Sequence, residues 1–308
     1  MPDDAPDRTA IAIERLTKRY GRLTAVRDLT LTVALGEVFG FLGLNGAGKT
    51  TTIRVLLDLL RPTGGRASVL GFDCQRQGRD VRARIGYLPG EPGFYEDMTG
   101  EAVLQLLARL SGQRAEPVSR ARLLDRFAFA RADLGRKLRE YSTGMKRKLA
   151  LVQAFQTDPP LVILDEPTEG LDPLMQEAFY DLLTDVNQQG RTVFMSSHVL
   201  SEVERVCDRI ALIRAGALVL VKPVEEVRRL GARRVRVTFR EDVSAEAARV
   251  PASYERLETT PRVWTLQAPG PLGPLVEALA GLPIVDLEVE EIHLEDVLVR
   301  YYREGQAS

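Results

Sequence analysis

Residues 43–50, with the sequence GLNGAGKT, fit the phosphate-binding pattern G-x-x-x-x-G-K-[ST]. In this pattern glycines let successive backbone N–H groups close around phosphate oxygens, where a Cβ atom would block the approach. Lys49 can reach the terminal phosphates, and the hydroxyl of Thr50 is placed to ligate Mg²⁺. Contacts to a nucleotide are expected from Asn45, Gly46, Ala47, Gly48, Lys49, Thr50 and Thr51. The pattern therefore predicts a nucleotide-binding site.

A second group of candidate residues follows the apolar run 161–164, which ends in Asp165 and Glu166. A continuous apolar run is typical of a central parallel strand that is buried on both faces. Carboxylates at the carboxyl end of such a strand lie beside the phosphate loop, where ligands of open α/β sheets collect. We expect Asp165 to hold Mg²⁺, usually through water, and Glu166 to polarise the attacking water as general base. The alternative is a solvated Asp-Glu turn at an ordinary strand end.

The segments around the phosphate loop follow the order strand, glycine loop, helix that this pattern requires. Residues 37–42 predict a short strand, and residues 51–60 predict a helix that Pro62 ends. From residue 10 to about 224, apolar runs alternate with helical patterns, as in a largely parallel sheet flanked by helices. The exception is a predicted helical insertion at about 96–140. The sequence thus predicts an α/β fold with a P-loop NTPase core and a helical insertion.

Residues 225–308 have a different pattern and suit a smaller, second domain. Strands are predicted over 234–240, 262–266 and 284–289, and helices over 242–250, 271–282 and 294–302. This order predicts a small C-terminal α+β domain, with a ferredoxin-like fold as the candidate.

Composition excludes several classes of function. The net charge of −1 provides no global basic field, so no nucleic-acid partner is expected, and the basic run 146–148 is expected to be a solvated face. No apolar stretch approaches the roughly 18–20 residues that cross a bilayer, and the acidic N-terminus is unlike a signal peptide. A cytoplasmic location is expected. Cys74 and Cys207 lack the spacing of a metal or redox pair, which favours reduced structural thiols.

Residues 141–145 (YSTGM) lie between the two motifs and precede a predicted helix at 146–155. With this segment at the position of the family's signature sequence, the chain resembles the ATP-binding subunit of an ABC transporter over roughly residues 9–224. Unpaired N–H groups and the positive dipole at a helix start favour an anion, and the Ser142 hydroxyl can add a donor or cap the helix. The resemblance implies that Ser142 and Gly144 contact the γ-phosphate held by a second copy, so that two chains enclose two ATP molecules.

Three further positions match the family's functional residues. Asp172 lies in the segment 170–173 (GLDP), which is similar to the loop that joins the two sites across the dimer; a plain turn is the alternative. His198 follows an apolar run at the position of the switch histidine, which contacts the γ-phosphate and the attacking water. Tyr20 resembles the aromatic residue that stacks on adenine, with a purely structural tyrosine as the alternative. The other histidine, His293, matches no catalytic position.

The sequence departs from the family pattern at two places. The signature commonly reads Leu-Ser-Gly-Gly-Gln, whereas this chain has Tyr141, Thr143 and Met145. The family also commonly has Gln after the proline of the segment 85–92, where it reaches Mg²⁺ and links the ATP state to the membrane subunit; here that residue is Gly90. Glu91 is one candidate substitute, and backbone motion of a glycine-containing loop is the other.

The resemblance implies an ABC-type ATP-binding domain over residues 1–224 and an accessory domain over 225–308. It further implies an ATPase that uses ATP and Mg²⁺ and dimerises with a second copy. This dimer would drive a separate transmembrane permease from the cytoplasmic face of the membrane. Residues 94–96 and the helical insertion would contact the permease. The details resemble exporters of drugs, antibiotics or related compounds. The alternative is a non-transport ABC ATPase that acts on ribosomes or nucleic acid. A P-loop GTPase is disfavoured because the guanine-reading Asn-Lys-x-Asp is absent.

Overall fold

The computed structural model describes residues 9–112, 117–230, 233–244, 250–268 and 271–291. The chain divides into two compact units, Met1–Lys222 and Pro223–Ser308. None of the described helices combines the length and hydropathy that a membrane span requires.

The first unit contains two sheets and the helices that cover them. Its strands are β1 (Thr9–Tyr20), β2 (Leu23–Ala34), β3 (Val38–Leu42), β4 (Gly64–Val69), β5 (Phe72–Asp73), β6 (Ile85–Leu88), β7 (Leu161–Asp165), β8 (Thr192–Ser197), β9 (Arg209–Arg214) and β10 (Ala217–Pro223). Its helices are α1 (Lys49–Leu56), α2 (Gly78–Arg82), α3 (Gly100–Leu110), α4 (Pro117–Arg126), α5 (Thr143–Phe155), α6 (Pro173–Gln188) and α7 (Leu200–Val206).

The larger sheet has the strand order β10-β9-β3-β8-β7-β6, and the paired strands from β9 to β6 run parallel. Strands β3, β7 and β8 are buried along their whole length, as their continuous apolar sequences predict. The register places Leu42 beside Ser197 and Asp165 beside Ser196. The carboxyl ends of these three central strands therefore meet at one edge of the sheet, where the phosphate loop also begins.

The smaller sheet is antiparallel, with the order β2-β1-β4-β5, and the alternation of strands and helices alone does not predict it. Strands β1 and β2 are joined by the two-residue turn 21–22, which only antiparallel neighbours can use. Their buried residues, such as Ile13 and Leu29, share one core with Phe41 and Phe194 of the larger sheet. This core lies directly behind the phosphate loop and fixes β3 in place.

The insertion is helical, as predicted, and consists of α3, α4 and two short 3-10 helices, Arg131–Gly135 and Leu138–Glu140. Helix α3 begins at Thr99, whose side chain accepts a hydrogen bond from the Ala102 amide. Helix α4 ends at Arg126, and Ala128, two residues farther on, adopts a left-handed conformation (φ 45°) that cannot continue the helix.

The second unit contains a four-stranded antiparallel sheet of β11 (Arg233–Phe239), β12 (Glu255–Thr259), β13 (Val263–Ala268) and β14 (Ile284–Glu291), in the order β12-β13-β11-β14. It also contains α8 (Val224–Leu230) and α9 (Gly273–Leu279). A separate core forms around Trp264, which packs edge-on against Phe239 with ring centroids 4.7 Å apart.

Strand β12 was not expected from the sequence. Its residues, ERLET, are all exposed and show no alternation of apolar and polar side chains, because β12 lies at the edge of the sheet. The helix expected over 242–250 falls largely on residues outside the described part of the chain. The helix expected over 294–302, together with His293, lies wholly outside it.

Both cysteines are buried and free, in agreement with the expectation of structural thiols. Burial raises the pKa of Cys74 to about 12 and raises that of Cys207 well above its usual value. Since the thiolate is the reactive form, both side chains are poor nucleophiles in the folded chain.

Candidate functional site

The phosphate loop connects β3 to α1 at the edge where the central strands end. Gly48 precedes α1 in a left-handed conformation (φ 110°), and a Cβ atom there would lie 2.5 Å from the carbonyl oxygen of Ala25. Only glycine fits this position without moving the backbone. At the other end of the loop, the Gly43 amide donates to the carbonyl of Ser197 at 3.1 Å, which fastens the loop to β8.

Exposure of the loop residues decides which of them a ligand can reach. Asn45 and Gly46 are exposed, Ala47 and Gly48 are buried, and Thr50 and Thr51 are half-buried at the start of α1. The first amides of α1 have no partners within the helix, so they and the positive helix end are available to an anion. These residues fit a phosphate group in both shape and charge.

Lys49 is almost fully buried and points back across the loop. Its Nζ atom donates to the carbonyl of Gly43 at 2.5 Å and forms an ion pair with Oε1 of Glu166 at 3.0 Å. The residue that is expected to reach phosphate thus also touches the residue that is expected to be the base. This pair connects the end of β7 to the phosphate loop.

Glu166 also contacts His198. Its second carboxylate oxygen, Oε2, lies 2.8 Å from Nδ1 of His198, and because an ionised carboxylate only accepts, Nδ1 carries the hydrogen. Glu166 has a left-handed backbone (φ 49°), which its amide stabilises by donating to the carbonyl of Ser196 at 3.2 Å. The structure therefore brings the predicted residues Lys49, Glu166 and His198 into one contact group.

Asp165 lies at the end of β7 and is buried. The hydroxyl of Ser196 donates to its Oδ1 atom at 2.6 Å, which fixes the carboxylate. Within the described residues, no cluster of three or more His, Cys, Asp or Glu side chains could hold a metal ion alone. A Mg²⁺ ion that used Asp165 and the Thr50 hydroxyl would need phosphate oxygens to complete its ligands, which is the usual arrangement of Mg²⁺ with a nucleotide.

The structure does not bring four other predicted residues into contact with this group. Ser142 is the N-cap of α5, and its hydroxyl accepts from the Met145 amide at 3.2 Å; Gly144 lies in the first turn. Asp172 caps α6 in the same way, accepting from the Met175 amide at 3.0 Å. Tyr20 is 45% exposed, and Nζ of Lys18 lies 5.1 Å from its ring centroid. Within the described chain, none of the four is hydrogen-bonded to the phosphate loop.

Glu202 of α7 is a site residue that the sequence did not indicate. It accepts from Ser197 at 2.8 Å and from Thr168 at 2.5 Å, and so ties the segment after β8 to the segment after β7. No motif contains it. The one available signal was its place on the short helix directly after His198.

Arg147 is the second site residue that the sequence did not indicate, and the prediction for its segment was wrong. The run 146–148 was expected to be a solvated face, but the side chain of Arg147 is buried, and its guanidinium contacts the segments on both sides of the site. The signal was helical spacing, because Arg147 shares a face with the buried residues Ala150, Leu151 and Ala154.

The fold and site define a class: a P-loop nucleotide-binding protein with a helical insertion. Residues 26–169 match the family described as "ABC transporter". The chain is 38% identical over 298 residues to the daunorubicin resistance ATP-binding protein DrrA3 of Streptomyces coeruleorubidus, which covers 95% of this chain and 92% of that protein. It is 37% identical to the bacitracin transport ATP-binding protein BcrA of Enterococcus faecalis over 68% of each chain.

Solved structures agree with this family. A structure of an ATP-binding subunit of an ABC transporter matches with a TM-score of 0.66 and 32% identity, covering 72% of this chain and 92% of that one. The dimeric cassette MJ0796, bound to ADP and phosphate, matches in fold with a TM-score of 0.63 at 21% identity, covering 70% of this chain and 98% of that one. The chain belongs to the ABC transporter family as an ATP-binding subunit, and the predicted fold, nucleotide and ATPase class are confirmed.

Proposed function

We propose that this chain hydrolyses ATP as the subunit of an exporter of drugs, antibiotics or related compounds, and that it drives a separate membrane permease from the cytoplasmic face. The observation that carries the proposal is the contact of the Glu166 carboxylate with both Lys49 and His198 at the ends of the central strands. The relatives DrrA3 and BcrA, named for daunorubicin resistance and bacitracin transport, support the choice of drugs and antibiotics, and a relative named as a fluoroquinolones export ATP-binding protein supports the direction.

Each candidate residue has its own role in the proposed reaction. Lys49 and the amides of residues 45–51 hold the phosphates, while Tyr20 stacks on the base. Thr50 and Asp165 would hold Mg²⁺, which would supply charge neutralisation at the phosphate oxygens. Glu166 accepts the proton of the attacking water, and His198 orients Glu166 and contacts the γ-phosphate.

Dimerisation completes the site. Ser142, Gly144 and Asp172 lie at the starts of α5 and α6, at exposed or half-buried positions, and away from the phosphate loop of their own chain. We propose that they meet the γ-phosphate and the corresponding segments of a second copy. A helix start offers the unpaired amides and positive dipole end that a phosphate requires.

The permease is proposed to dock at an apolar groove of the first unit. A cavity of about 230 Å³ lies between the segment after β6 and the helices α3 and α5, lined by Pro92, Phe94, Leu107 and Gln153 among others. Tyr95 lies at its edge and is 72% exposed. An exposed aromatic ring beside an apolar groove is typical of a protein contact.

Residues 1–224 are proposed as the ATP-binding domain, with the helical part at about 96–140, and residues 225–308 as an accessory domain. The four antiparallel strands of the second unit, with α9 between β13 and β14, support a ferredoxin-like fold for the accessory domain.

The test is Glu166→Gln, which keeps the shape of the side chain and removes its basicity. We expect the hydrolysis rate to fall by about 100-fold or more, because a positioned base contributes that much. ATP binding is retained, and the uncleaved nucleotide holds two copies together, so light scattering with ATP and Mg²⁺ detects a dimer.

The control is Glu258→Gln, which changes an exposed carboxylate on β12 of the second unit and should hydrolyse ATP at the wild-type rate. Normal turnover by Glu166→Gln would remove Glu166 from the role of base. Slow turnover without dimer formation would instead contradict the proposed sharing of the site between two copies.

A further inference from the structure

Arg147 is a buried arginine whose hydrogen bonds all go to backbone carbonyls. Its Nη1 atom donates to Pro89 at 3.0 Å and to Gly90 at 2.7 Å. Its Nε atom donates to Pro167 at 3.3 Å, and Nη2 donates to the carbonyl of Glu166. One side chain of α5 therefore holds both the segment after β6 and the segment after β7.

Removing a charged guanidinium from water costs free energy, and this cost points to a functional role for Arg147. Burial disfavours the charged guanidinium and lowers its pKa, while the nearby charges of Glu169, Asp165 and Glu166 favour the charged form. No carboxylate of the described residues lies within ion-pair distance of it. The planar fork matches carbonyls in two directions at once, which a lysine ammonium on a single stem reproduces only in part.

Gly90 has no side chain that could link this loop to the end of β7. A Cβ atom at position 90 would lie 3.7 Å from Oδ2 of Asp165, so the loop passes directly beside the carboxylate at the end of β7. Glu91 is exposed, and its side chain forms no hydrogen bond or ion pair with another described residue. The contact between this loop and the catalytic strand end is made instead by Arg147.

We infer that Arg147 is a positioning residue that couples the loop 89–90 to the backbone of Glu166, and so sets the orientation of the catalytic carboxylate. The inference rests on the proposed role of Glu166. Ser142 caps the helix that carries Arg147, so a movement of α5 at its N-terminus is transmitted to the carbonyls of both segments through the buried side chain of Arg147. A displacement of the order of 1 Å at a reacting group is enough to change a rate by about 100-fold.

The experiment compares Arg147→Met and Arg147→Lys with the control Lys148→Met, which removes the neighbouring, half-buried cation of the same helix. We measure kcat, the Kd for ATP, and hydrogen exchange of peptides that cover residues 89–95 and 166–170. For Arg147→Met we expect kcat to fall about 10- to 100-fold while Kd stays within about threefold, because orientation and not ground-state binding is lost. Arg147→Lys should retain more activity than Arg147→Met.

Hydrogen exchange distinguishes a local positioning role of Arg147 from a general role in supporting the fold. We expect faster exchange in 89–95 and 166–170 of Arg147→Met, with unchanged exchange in the antiparallel sheet at 64–73. Wild-type kcat and wild-type exchange in Arg147→Met would overturn the inference. Loss of ATP binding together with faster exchange throughout Arg147→Lys, the milder variant, would also overturn it, because Arg147 would then be a general support of the fold. If the wild-type chain fails to hydrolyse ATP, the proposed function fails, whereas exchange at the two segments still tests the link.

Discussion

The carboxylate of Glu166 has a different neighbour at each of its two oxygens: Lys49 at 3.0 Å and His198 at 2.8 Å. These three residues come from three separate segments, so the site depends on their meeting and not on any one motif. The lysine ammonium is a compact charge on a flexible stem, and it can contact either the carboxylate or a phosphate. The geometry around Glu166 is therefore sensitive to what Lys49 contacts.

Alkaline pH provides a test of the burial of Tyr87, on β6. Burial raises its pKa from 10.0 to about 12, and the charge of Asp165 adds to this effect. The folded state thus favours the neutral phenol, so the stability from this group is present below pH 10 and is lost as the pH rises from 10 towards 12. We expect the urea midpoint of the wild type to fall between pH 10 and 11.

Tyr87→Phe should reduce that fall, because it removes the ionising hydroxyl, whereas Tyr95→Phe on an exposed ring should follow the wild type. Identical pH profiles for Tyr87→Phe and the wild type would show that Tyr87 ionises equally easily in the folded and unfolded chains.

At the scale of single residues, the proximity of the candidate residues could be predicted where a spacing pattern exists. Lys49 belongs to a fixed pattern, and Asp165 and Glu166 end an apolar strand, so their proximity follows from the meeting of parallel strand ends. Arg147 and Glu202 belong to no such pattern. Their roles depend on which carbonyls and hydroxyls neighbouring segments present, and only the folded structure contains that information.

Among the elements, the turn into α1 is under a tight steric constraint. A Cβ atom at Gly48 would meet the backbone of Ala25 at 2.5 Å, and its φ of 110° is unfavourable for any other residue. We expect Gly48→Ala to weaken ATP binding by about 10-fold or more, because the loop must shift to relieve the clash and its amides then no longer point towards the phosphates. Isothermal titration measures the affinity.

Gly71→Ala is the matched control. Gly71 also has a positive φ (80°), but nothing lies within 4 Å of the added Cβ atom, and the turn joins β4 to β5. This variant should lose about 1 kcal/mol of stability from backbone strain alone and bind ATP normally. Equal affinities of the two variants would contradict the steric argument for Gly48.

Helices and buried strands were more predictable than exposed ones. The central strands of the larger sheet have apolar sequences because both faces are covered. Strand β12 has no such signal, since an edge strand with exposed side chains is held by backbone hydrogen bonds that any residue can make. The antiparallel pairing of β1 with β4 joins segments that are far apart in the sequence, and periodicity does not encode it.

Over the whole molecule, each of the two compact units has its own core. The core of the first unit is formed from residues of both its sheets and α1, and that of the second unit centres on Trp264. We expect a chain that ends at Pro223, which keeps β10, to fold cooperatively and to bind ATP within about threefold of the full chain. Urea unfolding and titration with ATP measure this.

Truncation also distinguishes possible roles of residues 224–308. If the shortened form of Glu166→Gln no longer dimerises with ATP while binding it normally, the accessory domain supports the dimer. If the shortened form still dimerises, the accessory domain has a regulatory role or contacts the permease instead. An insoluble or unfolded truncated chain would contradict the prediction that the first unit is self-sufficient.

The two buried thiols have a practical consequence for spectroscopy. Since the sequence contains only Cys74 and Cys207, and burial holds both in the unreactive thiol form, the folded chain behaves towards maleimide dyes almost as a cysteine-free protein. A single cysteine introduced at Leu110, which is 72% exposed at the end of α3, would carry one dye per chain without prior removal of the native thiols. Energy transfer between two such dyes would then follow the approach of two copies in real time.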